Sequence, residues 1–219
     1  MVKRMFVLLA LVSAAATAAH AQLSGPTDRA EHWDFSVQTR YTTSHEYSSK
    51  AGSSVSLEDD LGWGFGFGYH ANERFNVGFL MSWRTISYSA TALDAADLAN
   101  TIDYSNWLDI ATFGVSGEWN VLPKRFTPYV SGVLGWTFVD TNISAGYSSG
   151  CWWDPWWGYV CGSYPNTFGT DAFSYAIGAG LRLELSEAFF VRVGYEYDGI
   201  DLDNVNSFNI FRVDAGLTY

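Results

Sequence analysis

The chain has few basic residues and, after its first twenty-two residues, no long apolar run. Lysine and arginine together number 12, against 23 aspartates and glutamates in 219 residues, so the formal net charge is −11. This balance excludes a nucleic-acid partner, because phosphate binding needs a basic surface. No stretch after Gln22 approaches the roughly 20 apolar residues of a spanning helix. The sequence therefore excludes a helical membrane protein.

Cysteine is scarce, and the short motifs of common enzymes are missing. The chain holds two cysteines, Cys151 and Cys161, and contains no HExxH, CxxC or GxSxG pattern. His45 lies in the same region as an acidic run that ends at Asp60, but no spacing there specifies a nucleophile or a base. We therefore expect no enzymatic activity, no cofactor and no metal.

The N-terminus has the features of a secretory signal peptide. Lys3 and Arg4 precede an apolar run, and the small residues Ala19 and Ala21 lie just before Gln22. We expect residues 1–21 to be removed, which changes the formal net charge from −11 to −13. Export to an oxidising compartment also predicts a disulfide between the two cysteines.

Eight segments of about ten residues alternate between large apolar and small or polar residues. In one of them, the aromatic residues Trp63, Phe65 and Phe67 alternate with glycines. This period of two predicts strands. The connections between the segments alternate between short and long. The long ones cover residues 42–60, 89–106, 140–172 and 199–207.

This layout predicts an all-β fold, an eight-stranded antiparallel up-and-down transmembrane β-barrel with four long outer loops and short periplasmic turns. We expect residues 22–31 to form an N-terminal periplasmic segment and residues 32–219 to form the barrel. A soluble β-sandwich and a soluble, lipocalin-type barrel are the alternatives. A soluble barrel is disfavoured because its apolar faces would point inward, and eight strands enclose space for only modest side chains, whereas these faces carry many large rings.

Tryptophan positions give a second argument for the membrane. Six tryptophans outside the cysteine segment fall on the apolar faces of the predicted strands, most of them near strand ends: Trp33, Trp63, Trp83, Trp107, Trp119 and Trp136. Indole rings favour the boundary between membrane and water, so these residues predict an aromatic girdle around the barrel.

The opposite faces combine glycine and serine with charged residues. The charged residues are Arg40, Arg84, Arg182, Arg192, Arg212, Asp34, Glu118, Glu184, Glu196 and Asp214. Unpaired charges are costly in a narrow lumen, and arginines and acids are equal in number here. We predict an ion-pair network that fills the barrel. The alternative is a narrow channel for small solutes that such pairs would gate.

The segment CWWDPWWGYVC lies in the longest predicted outer loop, where Pro155 and Gly158 predict a turn rather than a strand. Its aromatic residues are Trp152, Trp153, Trp156, Trp157 and Tyr159. A disulfide across so short a ring constrains the unfolded chain by roughly 3 kcal/mol. Two hypotheses stay open. The rings cap the barrel mouth, or they form a preorganised contact for a surface glycan, lipopolysaccharide or a protein.

The long loops carry most of the acids and one base, Lys50. Exposed carboxylates keep such loops soluble, and this is the interpretation that we adopt. An alternative is weak binding of Ca²⁺ or Mg²⁺, for which Asp198, Asp201 and Asp203 are the candidates.

The ordered set of features resembles a known group of proteins. The signal peptide, the alternating strands, the segment TPYV and the closing FRVDAGLTY are similar to small outer-membrane barrels of the OmpA-like, OmpW-like and opacity-protein-like superfamily. The resemblance implies a monomer in the Gram-negative outer membrane, in contact with lipid and lipopolysaccharide. It implies a structural or surface-interaction role, with a narrow channel as the alternative. It also implies that the assembly machinery reads the closing strand, which ends at Tyr219.

Overall fold

The computed structural model describes residues 25–48, 54–93, 101–156, 158–202 and 207–219. Over these ranges the chain forms ten β-strands, namely β1 (Trp33–Thr42), β2 (His45–Ser48), β3 (Ser54–Leu57), β4 (Asp60–His70), β5 (Phe75–Leu93), β6 (Thr101–Asn120), β7 (Phe126–Asp154), β8 (Gly158–Glu184), β9 (Phe189–Ile200) and β10 (Ser207–Thr218). The predicted signal peptide, residues 1–21, lies outside the described residues.

Eight of these strands close a ring in the order β1, β4, β5, β6, β7, β8, β9, β10, with antiparallel pairing throughout. The first and last strands of the ring pair with each other, beginning with Asp34 opposite Thr218. Closure pairs both edges of every ring strand within the barrel wall, so no sheet edge is left open there. The predicted eight-stranded antiparallel barrel is confirmed.

Side chains alternate between the two surfaces of the wall, because successive residues of a strand point to opposite faces. Along β1 every second residue is buried and the residues between are exposed. The exposed positions carry the large apolar residues, such as Trp33, Phe35 and Val37. Five of the six predicted girdle tryptophans are well exposed: Trp33, Trp63, Trp107, Trp119 and Trp136. The sixth, Trp83, is half-exposed and stacks on Trp63.

The two ends of the barrel differ. The short turns at 71–74, 121–125 and 185–188 lie at one end, called the inner end here, together with the described N-terminal residues. Trp33 and Tyr219 exchange backbone hydrogen bonds at this end. The opposite end, from which the β7–β8 strands extend, is called the outer end.

The predicted long outer connections contain more strand than the sequence indicated. β7 and β8 continue to Asp154 and from Gly158, so the third loop is a two-stranded ribbon. β2 and β3 form a hairpin within the first loop, and β3 pairs with β5. Pairing continues beyond the ring because the serines, threonines and tyrosines of these segments have high or neutral strand propensity and their backbone groups still gain partners.

Candidate functional site

A set of buried ion pairs fills the inner part of the lumen; it is continuous from Arg29 to Arg40, and Arg84 with Asp198 forms a separate pair. In the described part of the chain it contains six arginines and six carboxylates, which are Arg29, Arg40, Arg84, Arg182, Arg192, Arg212, Asp34, Glu118, Glu184, Glu196, Asp198 and Asp214. All ten residues that the sequence placed in the network lie in it. Sequence reasoning did not assign Arg29 or Asp198 to this set.

Arg29 closes the inner mouth of the barrel. Its guanidinium group lies 2.8 Å from Glu184 and donates hydrogen bonds to the backbone carbonyls of Glu73, Leu122 and Lys124, on two different inner turns. The side chain is 1% exposed. Burial lowers the pKa of Arg29, whereas the carboxylate of Glu184 raises it. Because arginine is not deprotonated in proteins, the group stays charged and ties the N-terminal segment to the turns.

Next to this mouth, Arg182 binds Asp34 at 2.5 Å and lies 3.4 Å from Glu184. Asp34 also contacts Nε2 of His70 at 2.9 Å and accepts a hydrogen bond from Thr218. The carboxylate of Asp34 therefore has partners on three further strands. Burial of an ionised group is tolerated only with this kind of pairing.

The middle of the lumen holds a chain of alternating charges. Arg192 lies 2.6 Å from Glu118 and 2.9 Å from Asp214. Arg212 lies 3.2 Å from Asp214 and 2.9 Å from Glu196, which also pairs with Arg40. Each carboxylate thus sits between two arginines. A cavity beside this chain measures about 30 Å³, room for about one or two water molecules.

Above the charges, toward the outer end, the lumen becomes apolar. Arg84 and Asp198 form the outermost pair at 2.7 Å, and the ring of Phe208 packs over Arg84. Beyond them lies a buried apolar layer composed of Leu57, Ile86, Tyr88, Ala90, Ile110, Val139, Ala172, Ile200, Phe208 and Ile210. The expectation of a lumen filled by glycine, serine and ion pairs alone is therefore wrong.

The sequence carried a signal for this layer. The inward positions of β5 after Arg84 are Ile86, Tyr88 and Ala90, which keep the period of two but change from polar to apolar. The predicted long connection begins at residue 89, whereas β5 continues to Leu93.

The ribbon of β7 and β8 is the largest structure beyond the ring. β7 has its last ring partner at Asp140 and continues to Asp154, which corresponds to about 45 Å of strand. Register shifts between Asp140 and Gly146 bend the ribbon at its base. Asn142 anchors this base, since its side chain donates a 2.7 Å hydrogen bond to Asp109 of β6.

The ribbon tip presents aromatic side chains to the surroundings. Cys151 and Cys161 lie opposite each other as strand residues and form the predicted disulfide, and the turn is confined to the tip. Trp153 and Tyr159 are a directly paired couple, 69% and 75% exposed, and Trp156 is 83% exposed. These exposures do not fit a cap folded onto the barrel mouth. Trp157 and the side chain of Trp152 lie outside what the structure describes.

The candidate ion-binding acids are not brought together. Asp198 is buried in the lumen with Arg84, whereas Asp201 is exposed and Asp203 lies outside the described residues. Within the described ranges, no three histidine, cysteine, aspartate or glutamate side chains are grouped as metal ligands.

The closed ring, the paired lumen and the outward aromatic girdle together indicate an outer-membrane barrel, and comparison with known proteins agrees. Residues 6–218 match the family described as "Outer membrane protein beta-barrel domain". The chain belongs to this family. No functionally curated protein shows a significant sequence match to it.

Solved structures of similar shape come from several bacteria. The outer membrane protein OprG from Pseudomonas aeruginosa has a TM-score of 0.56 at 11% identity, and the match covers 88% of this chain and 95% of OprG. Ail, the attachment invasion locus protein of Yersinia pestis, has a TM-score of 0.49 at 13% identity, with coverages of 87% and 99%. Neisserial surface protein A has a TM-score of 0.47 at 12% identity, and the match covers 85% of this chain and 95% of that protein. At these identities the likeness to OprG establishes the barrel fold alone.

Among the described residues, none lies in a helix that is long and apolar enough to cross a membrane. Tyr219, at the end of the closing strand, is 64% exposed at the inner end of the barrel. Reading of this strand by the assembly machinery, and contact with lipopolysaccharide, stay predictions.

Proposed function

We propose that this outer-membrane barrel is a closed scaffold that holds the β7–β8 ribbon away from the cell for contact with other surfaces. The observation that carries the proposal is the ribbon tip, where Trp153, Trp156 and Tyr159 expose most of their surface. Exposed aromatic clusters of this kind mark interaction sites, because rigid rings give much contact area for little lost conformational freedom. We assign the protein no catalytic reaction.

The charge of the ribbon indicates what it can contact. Residues 141–168 contain one acid, Asp154, and no lysine, arginine or histidine. Recognition there depends on ring contacts and hydrogen bonds rather than on charge. An uncharged glycan or a neutral protein surface suits such a site. The disulfide supports this role, since it holds the paired rings in place before binding and so lowers the entropy lost on contact.

The test compares cells that express the protein or a variant. Replacement of Trp153, Trp156 and Tyr159 by alanine should lower binding of the cells to immobilised neutral glycans or proteins by roughly tenfold or more, because aromatic contact residues often contribute about 2 kcal/mol each. The control is a variant with Tyr147 and Phe168 replaced, since these exposed rings lie on the same ribbon, nearer its base.

Both variants should fold as the wild type does, because all five side chains are exposed. Equal binding by the wild type and the tip variant would rule out the ribbon tip as a contact element. Lower stability of the tip variant, with binding unchanged, would instead support a cap.

A further inference from the structure

A hollow lies on the membrane-facing surface where two outward positions are glycine. Gly117 of β6 and Gly132 of β7 are directly paired. Their neighbours at the outward positions are large, and the hollow over the two glycines is walled by Val77, Val115, Leu134, Tyr175 and Ile177. Its volume is about 520 Å³. The hollow is therefore an apolar groove in the lipid-facing wall, nearer the inner end.

The fold itself does not require these glycines. A Cβ atom at Gly117 would meet no atom within 4 Å, and one at Gly132 would lie 3.8 Å from the nearest atom. In contrast, a Cβ at Gly78 or Gly135 would lie 2.3 Å from a backbone carbonyl of the next strand. Neither Gly117 nor Gly132 has a positive φ. Because glycine weakens a strand, two adjacent glycines without a steric cause indicate a space kept for something outside the chain.

Basic residues lie at the inner rim beneath the groove. Arg74 and Lys124 are exposed on the two inner turns that flank the end of β6. The carbonyl of Arg74 accepts a 2.7 Å hydrogen bond from the backbone of Asn120, only three residues from Gly117. That separation is about 10 Å along the strand. Arg125 follows Lys124 and is half-buried, and Glu73 is the acid on these turns.

Between groove and rim lie the rings of Phe75 and Trp119, which are paired across β5 and β6 and exposed on the outward surface. Indole rings mark the level of lipid headgroups. Toward the inner end of the barrel, the apolar groove is followed by the aromatic pair and then by the basic turns. A membrane lipid has the same order, from acyl chain through glycerol to headgroup.

We propose that this surface binds one glycerophospholipid with an anionic headgroup from the periplasmic leaflet. One acyl chain would lie over Gly117 and Gly132, and the phosphate would contact Arg74 and Lys124. The charge favours this occupant over a second copy of the chain. Lysine and arginine bind phosphate, whereas two copies of an acidic protein repel each other.

The experiment uses the purified full-length barrel in detergent micelles and native mass spectrometry. Phosphatidylglycerol or the zwitterionic phosphatidylethanolamine is added at equal concentration. The wild type should retain one phosphatidylglycerol per barrel and less phosphatidylethanolamine. Gly117→Leu or Gly132→Leu should lower the occupancy about fivefold or more, a difference of about 1 kcal/mol, because the side chain fills the groove.

Two controls separate the parts of the site. Ala215→Leu adds three of the same four carbon atoms on the opposite side of the barrel, on β10, and should retain the lipid as the wild type does. The double variant Arg74→Gln/Lys124→Gln should still bind lipid but lose the preference for phosphatidylglycerol. Different electrophoretic mobility of unheated and heated samples checks that each variant is folded.

Wild-type occupancy in both leucine variants would overturn the proposal, as would an equal loss in Ala215→Leu. A wild-type dimer that Gly132→Leu converts to a monomer would also overturn it, and would assign the groove to a second copy of the chain. These outcomes do not depend on the ribbon, so the surface-contact function is tested separately.

Discussion

At the scale of single residues, the lumen is a set of buried charges that depend on one another. The idealised cost of moving an ion out of water is large, and a partner recovers it only with good geometry. Asp214 is fully buried and lies between Arg192 and Arg212. Loss of one member of such a set leaves an uncompensated charge, whereas loss of a whole pair does not.

The pair of Arg84 and Asp198 tests this reasoning, since each is the other's ion-pair partner at 2.7 Å at the outer end of the network. We expect Arg84→Met to lower the free energy of unfolding by about 3 kcal/mol, and the double variant Arg84→Met/Asp198→Leu to recover more than half of that loss. Urea unfolding in lipid vesicles measures both. A double variant as unstable as the sum of its single variants would show that the two side chains do not interact.

Arg29 tests the closure of the inner mouth. Arg29→Ala removes an ion pair and leaves three turn carbonyls without this donor. We expect a loss of about 3 kcal/mol in the free energy of unfolding, together with faster proteolysis of the N-terminal segment. Asp28→Ala is the control, because this neighbour is exposed. Equal protease resistance of the two variants would show that Arg29 does not hold the N-terminal segment against the inner turns.

At the scale of elements, the β7–β8 ribbon depends on local pairing, unlike the ring strands. A ring strand gains partners on both edges, but between Asp140 and Ser174 the two ribbon strands pair only with each other. An isolated two-stranded hairpin is marginally stable in water. The disulfide between Cys151 and Cys161 therefore matters for the ribbon rather than for the ring.

Replacement of both cysteines by serine should leave the urea midpoint of the barrel unchanged, because the ring strands keep all their partners. Hydrogen exchange over residues 147–165 should become faster by a factor of roughly 100, which corresponds to about 3 kcal/mol from loop closure. Unchanged exchange in the ribbon would show that strand pairing alone is sufficient. A shifted midpoint of the whole barrel would show that ribbon and ring unfold together.

At the scale of the whole molecule, the lumen is closed in three successive layers. Arg29 covers the inner mouth, the ion-pair network fills the middle, and the apolar layer around Ile86 and Ile210 lies at the outer end. Side chains occupy the space that a diffusion channel needs to leave open. This arrangement favours a scaffold over the alternative of a narrow channel.

We accordingly expect no single-channel steps when the protein is inserted in a planar lipid bilayer, whereas a sixteen-stranded porin in the same chamber should give them. Steady conductance steps that persist after repurification would reject the closed lumen and favour the channel. Conductance steps that appear only in the Arg29→Ala variant would show that Arg29 closes an otherwise open channel.

The sequence alone determined the barrel and which faces of its strands point outward, because the period of two repeats in every ring strand and needs no knowledge of distant contacts. Leu61, Trp63 and Phe65 alternate with glycines and show this pattern directly. It also indicated which charges face the lumen. The tertiary structure decided how they pair, since Arg182 and Asp34 are 148 positions apart and meet only when the ring closes. It also placed Arg29 in the inner mouth and continued β7 and β8 into a ribbon, because both depend on neighbours that no local pattern specifies. The inward apolar positions of β5 were visible in the sequence, but only the closed ring brings Ile86 together with Val139 and Ile210.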